Sequence, residues 1–159
     1  MLHIKPIKQN TGYTCGPTCI AMLAKFYGVR VSWAKVMRSC KIDRNGMSND
    51  DLVRALRKLN FSVSKKSRNT WKDLRKNYHD RIPVVVAWML HGYIGHFSIV
   101  VEVGKNHLVL ADPDTGKHRR MPKEIFMRLW FDYDDIFFPK RAKKIHLRWG
   151  AVIHGIRRS

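Results

Sequence analysis

Gln9-Asn10-Thr11-Gly12-Tyr13-Thr14-Cys15-Gly16-Pro17-Thr18-Cys19-Ile20-Ala21-Met22-Leu23 begins as a polar loop and becomes an apolar helix, with Cys15 at the junction. Ile20, Leu23, Ala24 and Tyr27 recur at helical spacing, and Gly28 supplies a stop. Thr14 is the expected N-cap, and Pro17 falls in the first turn, where a missing N–H costs nothing. A thiol at that place feels the positive end of the helix dipole and several unpaired backbone N–H groups, both of which favour thiolate. Gln9, on the loop upstream, is placed to bring its amide beside the Cys15 N–H, a pair of donors for an oxyanion forming next to the sulfur. A lone cysteine is more simply a small buried hydrophobe. The Gln, the Gly and the helix start at this spacing reverse that preference.

Working outward, the second half of the chain changes period. Pro83-Val84-Val85-Val86-Ala87-Trp88-Met89 is apolar throughout, as a strand buried on both faces would be, with Trp88 and Met89 as core. Phe97 to Val103 and Leu108 to Ala111 read as two strands joined by the turn Gly104-Lys105-Asn106. His96 immediately precedes the first and Asp112 immediately follows the second. Across so short a turn the two come within about two positions of directly opposite, at the same end of the hairpin. An Asp beside a His fixes the imidazole tautomer and orientation, as a general base requires. Taken singly, His96 ends a strand and Asp112 opens an Asp-Pro turn, as Asp commonly does.

The remaining elements are shorter. Ser32 caps a helix to about Met37, and Ser48 with Asp51 opens one whose apolar face is Leu52, Ala55, Leu56 and Leu59. Phe61-Ser62-Val63-Ser64 alternates like a strand, Thr70 with Asp73 starts another helix, and Pro122 opens one from Lys123 to Trp130. Asp112 to Gly116 breaks the second strand of the hairpin, and 131–138 and 145–153 read as late strands.

The set Gln9, Cys15, His96 and Asp112 resembles the papain-like cysteine peptidases of the C39 type, the bacteriocin-processing peptidase family. The resemblance is carried by Gln9 six residues before Cys15, by Cys15-Gly16 followed by Ile20-Ala21-Met22, by Gly28, by Gly95-His96-Phe97 entering an apolar strand, and by Asp112-Pro113. It implies an α+β, papain-like fold: a helical lobe carrying the nucleophile packed on a twisted antiparallel β-sheet, with a cleft between. It also implies a cysteine-type peptidase in which Cys15, His96, Asp112 and Gln9 are nucleophile, base, orienter and oxyanion donor, acting on a peptide or protein without a cofactor. Where the family usually has Asp before the cysteine, this chain has Thr14. Many members are domains of peptide exporters that cut leaders after paired glycines; these 159 residues hold no ATPase motif, so coupling to export is not implied.

At 159 residues the chain is most simply one domain, 1–159, able to bury about 68–70% of its unfolded surface. Residues 139–159 read as a basic-aromatic C-terminal extension of that domain. Three cysteines at irregular positions, with no metal-ligand spacing, point to a reducing compartment and a cytoplasmic protein. No signal-peptide region opens the chain, and the run from Ile82 to Leu90 is too short to span a bilayer. The formal charge of +19 is the loudest compositional feature. It suits a polyanion, either non-specific nucleic acid or packaging with a nucleic-acid particle, through Lys65 to Arg68 and Lys140 to Lys144. The alternative to the peptidase is therefore a papain-like scaffold serving as a basic nucleic-acid-associated binding or virion module. No nucleic-acid-binding signature accompanies the charge.

Overall fold

A computed structural model of the chain describes residues 1–135 and 137–158. The apolar periodicity after Cys15 forms α1 (Cys15–Phe26), stopped by Gly28 at φ +68°. Thr14 does not cap it. Pro17 occupies N3 and has no N–H for a capping oxygen, so the Thr14 hydroxyl turns back and bonds Thr11 instead. Three short helices begin as their caps foretell. In α2 (Trp33–Ser39) the Lys35 N–H donates to Ser32 Oγ, and in α3 (Asn49–Lys58) the Asp51 N–H donates to Ser48 Oγ. After β1 (Phe61–Lys66), α4 (Trp71–His79) opens on a full Thr70–Asp73 capping box.

The strands β2 (Val84–Leu90), β3 (Ile94–Val103), β4 (His107–Asp112) and β5 (Lys117–Pro122) follow, then α5 (Lys123–Leu129). The chain ends in β6 (Phe131–Tyr133), β7 (Ile145–Leu147) and β8 (Gly150–Ile156). Six strands make one antiparallel sheet in the order β1-β8-β2-β3-β4-β5, and β6 and β7 form a separate ribbon.

β2 is buried at every position because helices cover both faces of the sheet. Val85 and Ala87 pack with Cys19, Ile20, Leu23, Leu52 and Leu56 of α1 and α3. Val84, Val86 and Trp88 pack with Trp71, Leu74, Phe126 and Trp130 on the other face. The helical lobe implied by the resemblance is α1 to α3 on one face of the sheet, and α4 and α5 pack on the other.

Three other expectations change. The residues after Asp112 make a tight turn and return as β5, which has no apolar alternation to announce it because only Met121 is buried. The predicted strand 131–138 is three residues long in β6, and Ile136 lies outside the described residues, as does Ser159. The predicted strand 145–153 is two strands, broken where Arg148 takes φ +48°. Its second part, β8, enters the central sheet between β1 and β2 with Ala151 and Ile153 fully buried.

Candidate active site

Cys15 is the first residue of α1 and its side chain lines a cleft of about 370 Å³ with His96, Gly95, Phe97 and Met47. The first N–H groups of a helix have no partner within it, so the Cys15 and Gly16 amides make no bond inside α1. Gly16 lets Met47 pack close: a Cβ there would run into Met47 Sδ and push that side chain aside. Cys19, one turn on, is fully buried in the core, and burial pushes its thiol up, with Cys15 and Asp112 adding to the effect.

His96 and Asp112 lie inside β3 and β4 rather than just outside them. Ile99 pairs with Ala111, so Ser98 comes against Asp112 and His96 sits two positions further along the same face. His96 Nε2–H donates to Asp112 Oδ1 at 2.7 Å, and both side chains are almost wholly buried. With Nε2 committed, Nδ1 is the ring nitrogen left for the Cys15 thiol, which lines the same cleft. Burial alone opposes protonation of His96; the bond to Asp112 and the neighbouring Cys15 sulfur outweigh it and raise the imidazolium to about 9. For Asp112, burial again favours the neutral form, but His96 and Arg119 overcome it and hold the carboxyl at about 2.

Sequence reasoning missed what holds Asp112. Arg119 Nε–H donates to Oδ2 at 2.6 Å, and its Nη2 reaches Asp114 at 3.0 Å. The Ser98 hydroxyl donates to Oδ1 at 3.3 Å and accepts Trp88 Nε1–H at 3.1 Å. The Asp114 N–H adds a bond at 3.2 Å. Leu110 pairs with Arg119, which puts Arg119 on the Asp112 face, and its guanidinium lies over the Trp88 ring at 5.8 Å. In the sequence Arg119 was one member of a charge run and Trp88 one core aromatic. The β4–β5 register brings Arg119 to Asp112, and the β2–β3 register sets Trp88 opposite His96.

Gln9 is placed differently. Its backbone N–H donates to Pro113 O at 2.8 Å, tying the loop to the turn that follows Asp112. Gly116, at φ +66°, lets that turn press on Lys8, where a Cβ would stand 2.7 Å from the Lys8 Cβ. The Gln9 side chain, however, donates Nε2–H to Thr11 O at 2.7 Å, and its buried Oε1 has no partner among the described residues. The structure thus gathers Cys15, His96 and Asp112 and leaves the Gln9 amide turned onto its own loop.

A cysteine on a helix N-terminus, set against a sheet that bears a His–Asp pair, is the arrangement of a papain-like cysteine hydrolase. The chain belongs to the Peptidase C39 family, whose model matches residues 3–142. It is 27% identical over 124 residues to an uncharacterized protein of Methanothermobacter marburgensis, spanning 78% of this chain and 81% of that one. It is 28% identical over 140 residues to the lactococcin-G-processing and transport ATP-binding protein LagD of Lactococcus lactis, covering 86% of this chain but only 19% of the transporter. The solved peptidase domain of Streptococcus ComA shares the fold at a TM-score of 0.75 and 24% identity, over 96% of this chain and 99% of that one. A double-glycine-motif protease solved with its leader peptide aligns at 0.70 and 18% identity, over 96% and 92%. The protein is a cysteine-type peptidase, and no described helix is long and apolar enough to cross a membrane.

Proposed function

We propose that residues 1–159 act as one domain that cuts peptide bonds with Cys15 as nucleophile, His96 as acid and base, Asp112 as orienter and Gln9 with the Cys15 N–H as oxyanion donors. The observation that carries this reading is the buried 2.7 Å bond from His96 Nε2 to Asp112, which leaves Nδ1 for the thiol. The Cys15 sulfur attacks the carbonyl carbon, and the C–N bond breaks as His96 gives its proton to the departing amine. Water, deprotonated by His96, then opens the thioester, releasing the acid and restoring the thiol. An imidazolium held to about 9 keeps His96 protonated throughout the neutral range, with a proton to give the departing amine.

The substrate class is a peptide or protein, and the compartment a reducing one such as the cytoplasm, which keeps three free cysteines intact. The test is hydrolysis of internally quenched peptides with mass-mapped alkylation. Rapid labelling of Cys15 below about pH 7, where an ordinary thiol with pKa about 8.5 reacts slowly, supports the reading. Full hydrolysis by Cys15→Ala overturns it.

The nucleic-acid-associated and virion alternatives find no support among the relatives. Part of the basic charge is moreover spent inside the molecule: Lys65 pairs with Asp50, Lys66 with Asp73 and Lys144 with Asp135.

A further inference from the structure

The cleft that holds Cys15 is acidic, although the protein is not. The chain has 31 Lys and Arg against 12 Asp and Glu, yet Asp43, Asp51, Asp132 and Asp134 line this one cleft and Lys41 is its single Lys or Arg. Asp51 is already met by Arg54 and by the Ser48 hydroxyl. Asp132 is not met by any cation among the described residues. It is 7% exposed, and its hydrogen bond comes from Asn49 Nδ2 at 3.3 Å. Asn49 is itself only 4% exposed, and its Oδ1 accepts from nothing described. The Asn49 side chain lines a second cavity of about 320 Å³ that adjoins the cleft through Ser48 and Asp134. The lysines on that cavity, Lys65 and Lys66, are paired with Asp50 and Asp73. His146 engages one oxygen of Asp134, and the Asp134 side chain remains 56% exposed.

A buried carboxylate beside an unpartnered amide oxygen is costly unless a donor completes it. Asp132 bears that cost: burial raises its carboxyl to about 6, Asp134 adds to the rise, and His146 and Asn49 only partly oppose it. The missing partner has a definite chemistry. It is positively charged, carries several N–H donors, and reaches the cleft from outside.

We propose that Asp132, Asp134 and Asn49 form a subsite, at one end of the catalytic cleft, for the ammonium or guanidinium of a Lys or Arg side chain flanking the bond to be cut. The inference rests on the peptidase reading and narrows its substrates to peptides with a basic residue close to the scissile bond. The ammonium donates to Asp132 and to Asn49 Oδ1 with Asp134 alongside, while the main chain passes Cys15.

The test walks a single Lys, or norleucine as the uncharged control, through each position of an otherwise neutral quenched peptide. At one position or more, Lys raises kcat/KM about tenfold or more over norleucine, the scale of a hydrogen bond to a charged group, and the gain lies mainly in KM. Asp134→Asn, an exposed site that leaves folding intact, and Asp132→Asn, an isosteric change, each lower the Lys-to-norleucine ratio. Asp80→Asn, the same loss of charge at the end of α4 and outside the cleft, leaves the ratio unchanged. Cleavage with equal rates for Lys and norleucine at all positions, or a preference that survives both cleft variants, overturns the subsite and leaves the peptidase reading standing. If no peptide is cut, the peptidase reading fails on its own account. Binding of the same peptides to Cys15→Ala, followed by fluorescence anisotropy, then decides the subsite: tighter binding of the Lys peptides supports it, and equal binding overturns it.

Discussion

The two halves of the site are prepared to different degrees. On the sheet, Asp112 accepts bonds from His96, Ser98, Arg119 and the Asp114 N–H, and both members of the His–Asp pair are buried. On the loop, the Gln9 amide is bonded to Thr11 O and its Oε1 has no described partner. The sheet half is fixed by strand register, which a bound substrate does not need to change. The loop half must exchange one hydrogen bond for another before it can serve an oxyanion. On the roles proposed above, proton transfer is pre-organised, and oxyanion stabilisation is left to be completed when substrate arrives.

The largest test removes either half's chemistry outright. Cys15→Ala and His96→Ala each abolish peptide hydrolysis while thermal melts stay cooperative; turnover by either variant breaks the assignment. Next come the supporting groups. Asp112→Asn lowers kcat roughly 10²- to 10⁴-fold, the span of a positioned acid–base group, because an amide cannot enforce the same tautomer. Gln9→Ala costs on the order of 10²–10³. The comparison sharpens in how these losses divide. In the oxyanion role proposed for it, Gln9 meets substrate only in the transition state, so its loss falls on kcat with KM nearly unchanged. A Gln9→Ala defect carried by KM means the amide binds the ground state instead.

How much of this was legible in the sequence follows the same division. Cys15 at a helix start, and His96 across a short hairpin from Asp112, are local facts: a cap, a period of two and a turn length place them. The all-apolar run at Val84 to Met89 disclosed a strand covered on both faces, though not which helices cover it. Arg119 was illegible because β5 carries one buried residue in six and lacks alternation. Asp132 was illegible for another reason. The ribbon of β6 and β7 is closed by pairing over a long loop, and no local pattern specifies that Asp132 meets Asn49 of α3. The position of Gln9 in the chain was readable. The direction of its amide was not, because a single Thr11 carbonyl decides it.

A smaller effect tests whether the sheet half is as fixed as its hydrogen bonds suggest. His96 holds its proton to about 9 in the folded protein against an ordinary value near 6.5, so its contribution to stability is full below about pH 6.5 and is lost as pH rises through 9. Asp112 moves the other way, from 3.8 to about 2, so its contribution is full above about pH 4 and is lost as pH falls through 2. The pair therefore stabilises most between about pH 4 and 6.5. Counting their mutual bond once, wild type gives up on the order of 2–3 kcal/mol more than His96→Gln between pH 6 and 9.5 in urea titrations. Hydrolysis by wild type falls over the same alkaline range, as the imidazolium disappears. Parallel stability curves for the two proteins contradict the coupling.

The smallest effect concerns Arg119, which touches no reacting atom and acts only through Asp112. Arg119→Met removes the 2.6 Å donor to Oδ2 while keeping much of the contact with Trp88. The loss is bounded on both sides. A hydrogen bond to a charged group is worth about 1.5–3 kcal/mol, but the Arg119 side chain is 27% exposed, and solvent screens part of that. Asp112 also keeps the His96, Ser98 and Asp114 donors, so it stays in place. The expected fall in kcat is about tenfold, with KM unchanged. A purely structural arginine would predict a lower melting temperature and an unaltered pH profile. A positioning arginine predicts that the acid limb of kcat moves to higher pH, because the Asp112 carboxyl rises once the guanidinium is gone. Arg119→Lys restores a charge without the planar fork, and so recovers the acid limb more fully than the rate. If Arg119→Met keeps the wild-type acid limb, Asp112 is held by the strand register and its His96, Ser98 and Asp114 donors without the guanidinium, and the sheet half of the site is simpler than its contacts imply.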